Sequence, residues 1–159
     1  MMVNSKLGQK GRDMTLVKAK EKQNTYWYFS EGGGVRMITY SGKLFWATFF
    51  IAFILFWLFV GIGGAVGGVI TGGIVSVVFE VAVSSPKVKR WDGMSLKQLE
   101  SEERSKSLVW ASVKKATFKA PERLEVTVDD QMHKMKVLTD VEVTQKLLKD
   151  HLGSRFAVI

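Results

Sequence analysis

Leu44 to Phe79 reads LFWATFFIAFILFWLFVGIGGAVGGVITGGIVSVVF, 36 residues without a charge, bounded by Lys43 and Glu80. Only Thr48, Thr71 and Ser76 interrupt it with hydroxyls, which a helix absorbs on its own carbonyls. A chain of 159 residues has too little left to bury such a segment, so its composition assigns it to a membrane. One straight helix of this length would reach roughly 54 Å, against a hydrocarbon core about 30 Å thick. Extended through Val81, Ala82 and Val83, the run divides into two short spans. The expected element is a two-helix transmembrane hairpin within residues 43–84, with helices over about 44–60 and 65–83. Its reversal falls in Gly61-Ile62-Gly63-Gly64.

The flanks set the expected topology. Arg36 and Lys43 precede the run, Lys87, Lys89 and Arg90 follow it, and the turn between the spans is uncharged. Positive-inside bias then places both termini in the cytoplasm and the protein in the cell membrane as a two-span chain. Tyr40, Trp46 and Trp91 suit the aromatic belt at the interface. The apolar run begins too late in the chain to be a cleavable signal.

The two halves of the run differ. The first is bulky with Phe and Trp. The second is thin, and Gly64, Gly68 and Gly72 recur at i, i+4 and i+8 along one face. Such a stripe lets helix backbones approach closely. Two readings stand: the bulky helix fills this groove, or another subunit docks there. Glu80, the only ionisable residue in the extended run, either reaches headgroup water or pairs with Lys43 at matching depth.

Outside the membrane, residues 1–24 read as a basic tail, and residues 25–42 as a β-hairpin. That hairpin is Thr25–Ser30 and Val35–Tyr40 around Glu31-Gly-Gly-Gly34. The glycine run lacks the Lys-Ser/Thr pair and the following helix of a P-loop. Lys18, Lys20 and Lys22 in the tail, with Lys87, Lys89 and Arg90 after the hairpin, are the expected contacts to anionic lipid.

Residues 85–159 read as a small α+β domain. Ser84-Ser-Pro86 is expected to end the second membrane helix, and Val88–Trp91 to form a short strand or surface anchor. Ser95-Leu-Lys-Gln98 is a capping box opening a helix to about Arg104. Strands are expected over 108–113, 116–119, 124–128 and 132–137, then a second capping box, Thr139-Asp-Val-Glu142, and a helix to Leu152 with Gly153 as its stop. Ser154–Ile159 reads as a last strand or a tail.

The stretch Leu108-Val-Trp-Ala-Ser-Val-Lys-Lys-Ala-Thr-Phe, with Arg123-Leu-Glu-Val-Thr-Val leading through Lys136-Val-Leu to Leu147-Leu-Lys, resembles prokaryotic membrane-tethered pleckstrin-homology-like domains over residues 107–152. The resemblance implies a binding platform for lipid headgroups or protein segments, without catalysis, and carries no ligand residues with it. Such domains have about seven strands, so residues 25–40 would complete one split by the membrane segment.

Chemistry is sparse. There is no cysteine, and the two histidines, His133 and His151, stand apart from any nucleophile–base set. Asp129-Asp130 reads as a turn. The net charge of +8 is spread among fifteen acids, which argues against a nucleic-acid stripe. The expected protein is non-enzymatic, with no cofactor or metal. Its partners are membrane lipids and either further copies of itself or a larger membrane complex. A homo-oligomeric pore with Glu80 near its mouth is the alternative.

Overall fold

The computed structural model describes residues 16–60 and 64–159, with side chains described outside 59–69. Its centre is one eight-stranded sheet, curled into a half-barrel, in the order β4-β3-β2-β1-β7-β6-β5-β8. The strands are β1 (Val17–Lys22), β2 (Thr25–Ser30), β3 (Gly33–Ile38), β4 (Ser105–Leu108), β5 (Val113–Lys119), β6 (Arg123–Val128), β7 (Gln131–Val137) and β8 (Phe156–Val158). All neighbours are antiparallel except β5 and β8, which run parallel.

This corrects the expected fold class. The chain is not a two-helix transmembrane hairpin beside a small C-terminal β domain. It is a β-rich body whose sheet takes strands from both sides of the apolar run, joined where β1 pairs with β7 and β3 with β4. Among the described residues one helical stretch, Ile70–Trp91, is long and apolar enough to cross a membrane, and the apolar helix Gly42–Leu58 is shorter. Of the expected reversal, Gly61-Ile62-Gly63-Gly64, the first three residues lie outside the described residues and Gly64 opens a helix.

Strand β2 explains the sheet. Every one of its six residues is buried. Its alternation sends Trp27 and Phe29 to the inner face and Tyr26 and Tyr28 to the outer one. The inner core gathers Val17, Ala19, Phe118, Leu124, Val126 and Val137 under helix α5 (Val141–Leu152), which lends Leu148 and Leu152. The outer core joins Tyr26, Tyr28, Val35 and Met37 to Val88, Trp91 and Leu99. Gly33 and Gly34 permit the crowding at one end. Gly33 has a φ of +139°, and a Cβ there would meet the Leu108 carbonyl oxygen at 2.5 Å. A Cβ on Gly34 would lie 2.7 Å from the buried Phe29 ring.

Helices α1 (Gly42–Val60) and α2 (Gly64–Val78) form the apolar excursion. Helix α2 does not stop at Ser84–Pro86. A π-helical turn, Phe79–Ser84, leads directly into α3 (Ser85–Trp91), with the Ser85 N–H donating to the Glu80 carbonyl five residues back. A proline lacks an N–H and crowds the carbonyl four residues behind it. The widened turn just before Pro86 gives its ring room, so the rod continues. Val88–Trp91 is therefore the end of a helix that buries Val88 and Trp91, not a strand.

Other boundaries shift for local reasons. The stretch expected as strand 108–113 breaks at a 3₁₀ turn, Trp110–Ser112, because the Trp110 indole donates to the carbonyls of Ser30 and Glu31, each at 3.1 Å. Strand β5 then runs unbroken from Val113. Helix α4 (Leu96–Glu100) opens on the Ser95–Gln98 capping box but ends before Arg104. Helix α5 is capped by Asp140, whose carboxylate accepts from the Glu142 and Val143 amides. Thr139 is drawn away to accept from the Lys18 amide at 3.2 Å.

Trp91 carries the docking of the rod and is 3% exposed. Trp91→Ala is expected to cost about 3–5 kcal/mol, read by chemical denaturation in micelles. Trp91→Phe, which also removes a buried indole N–H that has no partner, should cost less than half as much.

Candidate functional site

Strand β1 reads Val17-Lys-Ala-Lys-Glu-Lys22. Its alternation turns Lys18 and Lys20 toward the helical rod and Val17 and Ala19 toward the inner core, with Glu21 continuing the inner row. Each lysine sits opposite a tyrosine of β2, Lys18 across from Tyr28 and Lys20 across from Tyr26.

Two acid-centred clusters result on the outer face. Lys18 Nζ lies 2.7 Å from Asp92 Oδ2, and the Tyr28 hydroxyl donates to Oδ1 at 2.9 Å. Lys20 Nζ donates to Glu80 Oε1 at 2.9 Å, and the Tyr26 hydroxyl donates to the same oxygen at 3.2 Å. Lys20 also stands 5.2 Å from the centre of the Tyr26 ring. Burial works against the charge of Lys20, but Glu80 and Tyr26 outweigh it and hold its pKa above the ordinary lysine value. Burial, then the bond to Asp92, pushes the Tyr28 phenol well above its usual range. Nearby, Gln23 Nε2 donates to the Ser76 carbonyl and Lys87 Nζ to the Thr39 carbonyl, so β1 and the end of β3 are stitched along the rod.

The expected site residues are thereby redistributed. Glu80 takes Lys20 as its partner, and Lys43 is exposed at the second residue of α1. Of the six expected lipid contacts, Lys18, Lys20, Lys87 and Arg90 are engaged with Asp92, Glu80, the Thr39 carbonyl and Glu102. Lys22 and Lys89 stand exposed. A Cβ on Gly72 would meet the Phe49 ring of α1 at 3.0 Å, so the bulky helix fills the groove there. The surroundings of Gly64 and Gly68 lie outside the described residues, as does the basic arm before position 16.

A third cluster lies on the inner face, at the mouth of the curl. Glu21, its side chain 9% exposed, accepts from the Trp27 indole at 2.9 Å on Oε2 and bonds His133 Nδ1 at 3.1 Å through Oε1. Arg36 Nε approaches Oε2 at 3.5 Å, and its guanidinium lies 5.9 Å over the Trp27 ring. Burial pushes the Glu21 carboxyl up, but the bonds from Trp27 and His133 and the charge of Arg36 prevail, leaving it below its ordinary value. Of these, Trp27, Arg36 and His133 border a cavity of about 120 Å³ together with Lys106, Asp129 and Gln131. A wider hollow of about 420 Å³ beside Gly93–Gln98 offers less, because its one carboxylate, Asp92, is consumed by Lys18 and Tyr28. No group of three or more metal-ligating side chains occurs among the described residues.

Compared with protein-family models, curated proteins and solved structures, the chain matches none.

Sequence reading missed the mouth because it assigned β1 to a tail. The signal was present: Val17-Lys-Ala-Lys alternates apolar and charged residues with the period of a strand. Its basic content outweighed its period. His151 is accounted for separately, stacked on Trp110 at 5.3 Å.

Two measurements check these assignments. In a double-mutant cycle, Lys20→Met with Glu80→Gln should couple by up to about 1 kcal/mol, the range for a pair this exposed. Lys43→Met with Glu80→Gln should be additive within about 0.5 kcal/mol. For Glu21, a folded pKa below 4.5 contributes stability that is complete above that value and lost as pH falls through the folded pKa. Acid titration of stability should therefore be steeper below about 4.5 in the parent than in Glu21→Gln. At neutral pH that variant should be less stable by about 1–3 kcal/mol.

Proposed function

We propose that this chain is a non-enzymatic, membrane-anchored binding module. The observation that carries the reading is the unbroken rod from the apolar helix α2 through the π-helical turn into α3, ending in the outer core of the sheet at Val88 and Trp91. Ile70, Ile74, Val77 and Val81 line one outward face of that rod and are more than half exposed, as are Trp46, Phe50, Ile54 and Trp57 on α1. An apolar surface of this extent calls for lipid or another membrane segment. Lys87, Lys89 and Arg90 at the sheet end of the rod favour a cytoplasmic position for the sheet.

The antiparallel strands β5 to β7, followed by α5, support the role of a platform for a headgroup or a protein segment. The glycine face contributes less than its sequence promised, since Phe49 already covers Gly72. A partner in the membrane would meet the Ile70–Val81 face instead. Glu80, ion-paired with Lys20 and hydrogen-bonded by the Tyr26 hydroxyl, is poorly placed to attract ions to a pore.

Alkaline carbonate washing of membranes from expressing cells tests the anchor. The chain should stay in the pellet, and release into the supernatant would overturn the reading. Placing aspartate at both Ile74 and Val77 should release it, because each charge costs about 2.5–3.5 kcal/mol near the centre of a membrane helix.

A further inference from the structure

Arg36 is held between three groups at the mouth of the curl. Register sets it opposite Trp27 on β2 and Lys106 on β4. Glu21, at 3.5 Å, attracts its Nε side, and the Trp27 ring lies beneath the guanidinium at 5.9 Å. Nε is buried without a hydrogen-bond acceptor, and among the described residues the terminal nitrogens of Arg36 make no hydrogen bond. A buried carboxylate positions this cation, and the donors of its fork remain unspent beside a cavity of about 120 Å³. Surface arginines do not need a buried acid and an aromatic floor to hold them in place.

Charge narrows the choice of ligand. The cavity lining carries two permanent cations, Arg36 and Lys106, against one carboxylate, Asp129, while Glu21 lies outside the lining on the Nε side of Arg36. That balance accommodates one added negative charge and resists two, which disfavours a phosphate dianion. A planar carboxylate matches the parallel N–H pairs of a guanidinium. The cavity leaves room for that group and a short stem.

We propose that this mouth binds a single carboxylate, with Arg36 as its principal contact, Lys106 as a second cation, and Glu21 as the residue that positions Arg36. The proposal rests on the binding-module reading and names the chemistry that module recognises. The carboxylate belongs either to a small free acid or to the C-terminus of a peptide.

The test uses the full chain in phosphatidylcholine nanodiscs with ¹⁵N-labelled arginine, since the sequence has only six arginines to resolve. Acetate should shift the Arg36 Nε resonance saturably, and both Arg36→Gln, followed through the His133 ring, and Lys106→Gln should bind at least fivefold more weakly. Lys89→Gln, on the far side of the sheet domain, should bind as the parent does. A short peptide with a free C-terminus that binds tenfold more tightly than acetate, while its amidated form does not, identifies a chain terminus as the source. Equal binding of acetate and the peptide identifies small acids. No saturable shift, unchanged binding in Arg36→Gln, or a tighter response to inorganic phosphate than to acetate would overturn the proposal. Carbonate retention is indifferent to all of these outcomes, so failure here leaves the anchor reading standing.

Discussion

Everything in this protein is arranged around a strand that has no solvent face. Thr25–Ser30 buries all six residues, and its aromatic side chains alternate between two separate cores. A strand in the middle of a sheet can do this only if both of its faces are covered. Helix α5 and the curl of β5 to β7 cover one face, and the rod ending at Trp91 covers the other. The apolar rod is thus part of the domain's packing. Removing it would expose Tyr26, Tyr28, Val35 and Met37 together.

The same alternation distributes charge. On β1 the outward lysines meet acids carried by the rod, Glu80 and Asp92, while the inward Glu21 meets Trp27, His133 and Arg36. The outer pairs are partly solvated and contribute modest energy each; their geometric effect is to set how the rod lies along the sheet. The inner cluster is a different case. A carboxylate with its side chain 9% exposed is costly unless each lone pair finds a donor, and here both oxygens do. That cost is offset by the bonds from Trp27 and His133 and the charge of Arg36, and the same contacts orient all three groups.

The helix rod links the two environments. Its π-helical turn lies where the apolar segment gives way to the sheet, and it carries Glu80 and Ser84, which bond Lys20 of β1 and Thr39 just after β3. A widened turn rotates the residues beyond it relative to those before. Here it allows the chain to pass Pro86 and still bring Val88 and Trp91 onto the sheet. The end of the apolar segment and the start of the domain are one continuous element for this reason.

Several features were readable from residue order alone, because they depend on neighbours in sequence. The uncharged run, the Ser95–Gln98 capping box, the strand alternation of Leu124, Val126 and Val128 and the amphipathic spacing of Leu148 and Leu152 are all of this kind. The features that fixed the fold were long-range. Pairing of β1 with β7 joins residues more than a hundred positions apart, and no local signal records it. The helix continued through Pro86 because the sheet offered a surface for Trp91, a tertiary gain that outweighs a local stop. Glu80 chose Lys20 over Lys43 for the same reason: depth in a membrane is a one-dimensional property, whereas an ion pair needs two side chains aimed at each other. The run from Leu44 to Phe79 announced a long apolar helical segment, since hydrophobicity is a property of composition. Only the folded sheet decided what that run is attached to, and which acids and bases come within 3 Å of each other, since those depend on the directions of side chains that sequence spacing does not encode.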